Sequence, residues 1–150
     1  VSIYFCDIEA NGLLEVATKV HCLSSKTLNG AVKTYIGDYQ EYFDSLTEND
    51  TMVWHNYYGY DYSVLEKLGA VVPDYVQTID TLALSREWWP DHPIGHGLEA
   101  WAKKLGTYKP IIEQWDGLPI EDYIERCEED CRTTEALFMC LCDKLGIDYE

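Results

Sequence analysis

Basic residues are scarce in this chain. Eleven Lys and Arg stand against 27 Asp and Glu over 150 residues, a formal charge of −16. Proteins that hold a nucleic-acid backbone usually carry a basic face. The deficit leaves three options: nucleic acid is not the ligand, metal ions and a few local cations carry the contact, or another chain or domain supplies the grip. Long apolar runs are missing too. None approaches the roughly 18 residues that mark a membrane span, and no basic stretch precedes the first apolar segment as a secretory leader would require. No membrane partner is expected. No internal repeat, low-complexity tract or linker divides the chain, so one domain over residues 1–150 is expected. Six cysteines with no leader read as reduced thiols of a cytosol.

What is present is the material for a core. Apolar residues make up 47% of the chain, and a chain of this length buries roughly 70% of its unfolded surface. "VSIYFCD" at 1–7 alternates and is rich in β-formers, which predicts a buried strand. A second strand is expected over 16–25 and a third over 31–37, joined at "NG" 29–30, a hairpin signal. Asp38 is placed to cap a short helix ending near Leu46. A fourth strand is expected at 51–55, a loop at 56–60, and a helix over 61–69 stopped by Gly69. A fifth strand falls near 76–79. Asp80 then caps a helix that Pro90 ends. Another helix spans 97–106, a loop with Pro110 follows, and a long helix runs from about Ile120 to Leu145. Its apolar stripe is Cys127, Cys131, Thr134, Phe138, Leu141 and Leu145. Three hairpin-linked strands followed by alternating strands and helices indicate an α/β fold: a five-stranded mixed sheet flanked by helices.

The acids carry the chemistry. In "FCDIEANGLLE" only Ile8 separates Asp7 from Glu9 at the end of the first strand, and residues i and i+2 of a strand share a face. Two such carboxylates raise each other's pKa unless a positive charge sits between them. Either a divalent cation lies there or the pair is an acidic turn in solvent. Asp61 opens a helix, where an acid also serves the helix dipole. Asp130 lies in "ERCEEDCR", which also reads as a solvated acidic face. The cysteines of the last helix invite a zinc reading, but 131 to 142 spans about three turns, too far for one tetrahedral ion. Buried thiols explain Cys127, Cys131, Cys140 and Cys142 better.

Five blocks occur in order: "DIEANGLLE", "WHNYYGYDYSVLEKL", "IDTLALSR", "HGLEAWAKKLG" and "EEDCRTTEALFMCLCDKL". Together they closely resemble the proofreading exonuclease domain of family A DNA polymerases from T-odd podophages. More widely the chain is similar to the DEDD 3′–5′ exonucleases, which share a ribonuclease H-like fold. The resemblance covers nearly the whole chain, with the loops near 87–95 and 107–120 trimmed. It implies that Asp7, Glu9, Asp61 and Asp130 are the catalytic, metal-binding acids for two divalent cations, Mg²⁺ or Mn²⁺, matching the preference of such ions for hard oxygen ligands. Two ions about 4 Å apart clamp an in-line phosphoryl displacement. Asp7 would bridge both ions, Glu9 and Asp130 would hold the one that activates water, and Asp61 would serve the other. Leu13 matches an apolar wedge against the terminal base, Tyr60 a contact to the frayed strand, and Asn56 the Asn of the same loop. Ordinary packing is the competing account of Leu13 and Tyr60. His55 and His96 read as structural hydrogen-bonding groups. "REWWPDH" has no counterpart in the resemblance and reads as an exposed aromatic patch or a lid.

One position departs from the family pattern. This branch carries Tyr four residues before the last Asp, and a sister branch carries His five before. Here those positions are Arg126 and Glu125. Arg accepts no proton, but at i, i+4 from Asp130 it can reach that acid or a substrate phosphate. The expected function is a metal-dependent 3′–5′ exonuclease releasing nucleoside monophosphates from DNA 3′ ends, preferring single strands. It would act as a monomer or as part of a polymerase, in the cytoplasm of a phage-infected host. An RNA 3′ exonuclease, or a degenerate domain that binds DNA ends or a polymerase without cutting, are the alternatives.

Overall fold

A computed structural model of the chain describes residues 2–107 and 117–149. Five strands form one sheet: β1 (Ile3–Ala10), β2 (Val20–Thr27), β3 (Val32–Tyr35), β4 (Thr51–Trp54) and β5 (Gln77–Asp80), in the order β3-β2-β1-β4-β5. The first three run antiparallel to their neighbours, and β4 and β5 continue in parallel from β1. Helices α1 (Tyr39–Asp44), α2 (Tyr62–Lys67), α3 (Thr81–Trp88), α4 (Leu98–Leu105) and α5 (Ile120–Leu145) complete it. The mixed α/β sheet is the one expected from the sequence. Pro110, expected in the loop before α5, lies outside the described residues.

The alternation of β1 sorts its side chains between two layers. Phe5 packs on Phe138 of α5 with ring centroids 5.5 Å apart, beside Val53 and Cys142. Cys6 and Ile8 point the other way, into a core with Met52, Trp54, Tyr42, Phe43, Val64 and Leu65. Of the expected α5 stripe, Cys127 and Phe138 pack on the sheet, while Leu141 packs on Leu98 and Trp101 of α4. The Cys127 thiol donates to the Asp7 carbonyl (3.1 Å) and the Cys131 thiol to that of Ser24 (3.4 Å). Burial pushes both thiols up in pKa, so they are packing groups of the α5–sheet seam.

Four local expectations need correction. β1 does not end at Asp7: it pairs with β2 through Glu9 and has a register shift between Glu9 and Ala10, so both acids lie within the strand. β2 begins at Val20 rather than 16. The Leu13 carbonyl accepts from the Val16 (3.0 Å) and Ala17 (2.8 Å) amides, curling the chain, and the Asn11 side chain clasps Thr18 and Lys19. Residues 57–61 are a π-helical turn, not a loop. Asp38 precedes α1 without a side-chain cap bond, while Asp80 caps α3 by accepting from the Leu82 amide at 2.9 Å. Trp88 and Trp89 are half-buried. Trp88 packs on Trp101, Trp89 on His92, and the Lys104 ammonium lies 4.6 Å from the Trp89 ring. Among the described residues no helix is long and apolar enough to cross a membrane.

Candidate active site

The acids are assembled by three elements. β1 turns Asp7 and Glu9 to the α5 side, and Asp130 of α5 meets them there. A carboxylate oxygen from each of the three lies within 4.8 Å of the others. Glu9 is only 7% exposed although charged. Asp61 arrives from the π-helical turn, is 3% exposed, and lines the same cavity of about 320 Å³. Leu13, Asn56 and Tyr60 also line it. Leu13 is 65% exposed, an apolar side chain offered to solvent at the cavity mouth. Arg126 is buried one turn before Asp130 and does not line this cavity.

The π-helical turn has a visible cause. Asn56 takes a left-handed conformation (φ 59°) that redirects the chain after β4. The Asp80 carboxylate accepts from the amides of Asn56 (2.8 Å) and Tyr57 (2.9 Å), and Tyr57 is buried against Trp54. At Gly59 a Cβ would sit 2.2 Å from the Asn56 side-chain oxygen, so any larger residue there would make the Asn56 side chain turn aside. The widened turn sends Tyr60 and Asp61 inward. The Tyr60 hydroxyl donates to the Gly12 carbonyl at 2.7 Å, linking the turn to the end of β1. Asp80 is a residue the sequence reading assigned only to capping α3. Its second task depends on residues 23 and 24 positions away, which spacing does not disclose.

Electrostatics mark the cavity as short of positive charge. Burial first, then the charges of Glu9, Asp130 and Asp80, hold the Asp61 carboxyl well above the ordinary carboxylate range. Burial, followed by Asp61, Glu9 and Asp7, pushes the Tyr60 phenol up to about 12. Clustered carboxylates are hard oxygen donors, and a divalent cation among them would remove the repulsion that lifts Asp61. The donor set therefore fits Mg²⁺ or Mn²⁺ better than a soft metal. His55 also lines the cavity, with Nδ1 2.8 Å from the Thr81 hydroxyl. That hydroxyl donates to the Trp54 carbonyl, so it accepts from His55. His96 pairs with Ser85, whose hydroxyl also accepts from the Trp101 indole at 2.8 Å. Both histidines are hydrogen-bonded as expected.

The DNA-directed DNA polymerase of Enterobacteria phage T3 is 33% identical over a match that takes in 69% of this chain and 19% of the polymerase. The family B DNA polymerase of Pyrobaculum calidifontis superposes with a TM-score of 0.71 at 18% identity, over 94% of this chain and 24% of its own. Exonuclease X, solved with 5′-overhanging duplex DNA, superposes over 96% of this chain and 93% of its own, with a TM-score of 0.62 at 17% identity. The chain has the fold of the DEDD-type exonuclease domains. The resemblance to a phage polymerase read from the sequence is thereby shown. No family model matches the chain. Phi29 DNA polymerase, solved with primer-template DNA, superposes over 99% of this chain and 32% of its own, with a TM-score of 0.60 at 14% identity. This chain thus spans under a third of each of these polymerases.

Proposed function

We propose that this chain is a metal-dependent 3′–5′ exonuclease domain that removes nucleoside monophosphates from DNA 3′ ends, in company with a DNA polymerase, in the cytoplasm of a phage-infected host. The observation that carries the reading is the meeting of Asp7, Glu9, Asp61 and Asp130, from three separate elements, in one cavity with Leu13, Asn56 and Tyr60. Four acids brought together at the expense of mutual repulsion need a cationic ligand. The exonuclease fold and the phage polymerase relative support the choice of substrate.

In this reading Asp7, Glu9 and Asp130 would hold a divalent cation, and Asp61, which lines the same cavity, would help to hold a second. Such ions supply an acidified water and charge stabilisation of an in-line phosphoryl displacement. The water oxygen would join phosphorus as the bond to the 3′ oxygen breaks, the water giving up a proton to solvent and the departing 3′ oxygen taking one up to become the new 3′ hydroxyl. Tyr60 keeps its proton at neutral pH, so its hydroxyl stays a donor to Gly12 and its ring packs the frayed strand. Leu13 separates the terminal base from its neighbour. Base contacts of this apolar kind tolerate any sequence, as removal of successive nucleotides requires. Asn56 lines the path of the strand.

The test is digestion of an oligodeoxynucleotide labelled at its 3′ end, with and without Mg²⁺ or Mn²⁺, beside a matched RNA. Metal-dependent release of mononucleotides from DNA is expected, and Asp7→Ala should abolish it, since the bridging carboxylate positions both ions. Cleavage of the RNA alone would establish the RNA exonuclease. Turnover by Asp7→Ala near that of the wild type would remove the two-metal assignment.

A further inference from the structure

Away from the cavity, the segment joining α2 to β5 borders a second surface. Two hollows of about 240 and 410 Å³ meet there, sharing Val72, Pro73 and Asp74. Tyr57, Tyr58 and Tyr62 wall one end, and Phe43, Asp44 and Tyr75 the other. The apolar groups are unusually open: Val71 is 71% exposed, Tyr58 62% and Tyr75 55%. Large apolar side chains clustered at a surface mark an interaction site more often than scattered ones do. β5 closes the sheet on this side, and among the described residues no strand pairs with its outer edge.

Charge decides what fits. Among the described residues no Lys, Arg or His lines either hollow, while Asp44 and Asp74 do. Glu66, one turn after Tyr62 on α2, brings a third negative charge to the same end. A nucleic-acid strand would meet phosphate repulsion with no cation to offset it. Ammonium or guanidinium groups would find both carboxylates and the faces of tyrosine rings. We propose that this groove docks a second polypeptide through a segment in which Lys or Arg alternates with apolar residues. Val71, Tyr58 and Tyr75 would cover the apolar side chains, and Asp44 and Asp74 would pair with the cations. Such a partner also supplies what a chain of charge −16 lacks: positive surface beside the DNA. That role for the partner rests on the exonuclease reading; the docking does not.

The test uses the whole chain, isotope-labelled, titrated with a short synthetic peptide of alternating Lys and Val interrupted by Pro. Saturable amide shifts confined to residues 57–62 and 71–78 are expected, weakening about tenfold or more when salt is raised tenfold. The same peptide with Glu in place of Lys should leave them unmoved. The double variant Val71→Ser, Tyr75→Ser changes exposed side chains outside the turn that carries Asp61 and should lose the shifts while keeping its fold. Absence of shifts, shifts spread over the whole acidic surface, or groove shifts produced by oligothymidylate instead would each overturn the proposal. None of these outcomes depends on cleavage, so failure of the groove and failure of the exonuclease reading are separable.

Discussion

Asp61 is buried among other carboxylates, an unfavourable setting for a negative charge. Its raised pKa means that the folded protein retains a proton that the unfolded chain releases. The stability tied to that proton is full below the ordinary carboxylate pKa of about 4 and is lost as pH rises through the raised folded value. Asn at this position cannot titrate. In metal-free buffer, the stability of the wild type relative to Asp61→Asn should fall as pH rises from about 4, leaving the variant the more stable at neutral pH. Paired denaturant melts across that range check this, and a difference independent of pH would refute it. Arg126 raises a different question, because it stands where the resemblance leads one to expect a proton acceptor. A positioned base typically contributes a factor of about 10² or more. Arg126→Tyr should therefore raise the single-turnover rate and add a basic limb to its pH profile. A slower variant would overturn this expectation.

At the scale of elements, the π-helical turn and α5 have separate tasks. α5 is fixed to the sheet by Phe138 and Cys142 and to α4 by Leu137 and Leu141, all almost fully buried, so Asp130 is delivered on a rigid support. The turn carrying Tyr60 and Asp61 depends on fewer contacts, and Asp80 makes three of the bonds around it, to Asn56, Tyr57 and Leu82. Asp80→Ala removes a helix cap and leaves two further amides without their acceptor. A loss of roughly 1–3 kcal/mol in stability is expected, at the upper part of the range known for caps and unsatisfied amides. Cleavage should suffer more than stability, because the turn that aims Asp61 loses its anchor. Denaturant melts and single-turnover rates on one preparation distinguish this from a purely structural effect, which would leave the rate unchanged wherever the variant is folded.

For the molecule as a whole, excess negative charge dominates. The four cavity acids repel in the metal-free protein, and a ligand that binds only the folded state raises its melting temperature. Mn²⁺ should raise the melt of the wild type and do so far less for Asp7→Ala. An unchanged melt across the titration would count against a formed site. The same deficit of cations predicts weak binding to DNA by this chain alone, because phosphate contacts need positive charge. The Michaelis constant should be high and rise with salt. Single-stranded ends should be cut faster than blunt duplex ends, since in the proposed reading Leu13 and Tyr60 would engage separated bases and fraying a duplex costs free energy. Equal rates on both ends at matched salt would contradict this.

Much of this architecture is written in local pattern. The alternation of "SIYFCDIE" places Asp7 and Glu9 on one face of a strand, and "NG" 29–30 forms the hairpin with Asn29 in the left-handed region. The 26-residue periodicity of α5 places Cys127, Cys131 and Phe138 against the sheet and so turns Asp130 toward the same side. These features follow from side-chain period and backbone preference, which act within a few residues. The resemblance named the four acids, but no local rule brings Asp61 to Glu9, 52 residues earlier. That meeting required β4 to lie parallel beside β1 and Asp80 to reach back across the sheet to the turn after β4. The π-helical turn itself had no signature in "NYYGYD". It is favoured only because Asp80 accepts its amides and Trp54 offers Tyr57 a buried face. The late start of β2 has the same origin, in bonds from Asn11 and Leu13 that form only once β1 and β2 are paired. Local periodicity sets which side chains share a face; long-range packing and the hydrogen bonds it permits decide which faces meet.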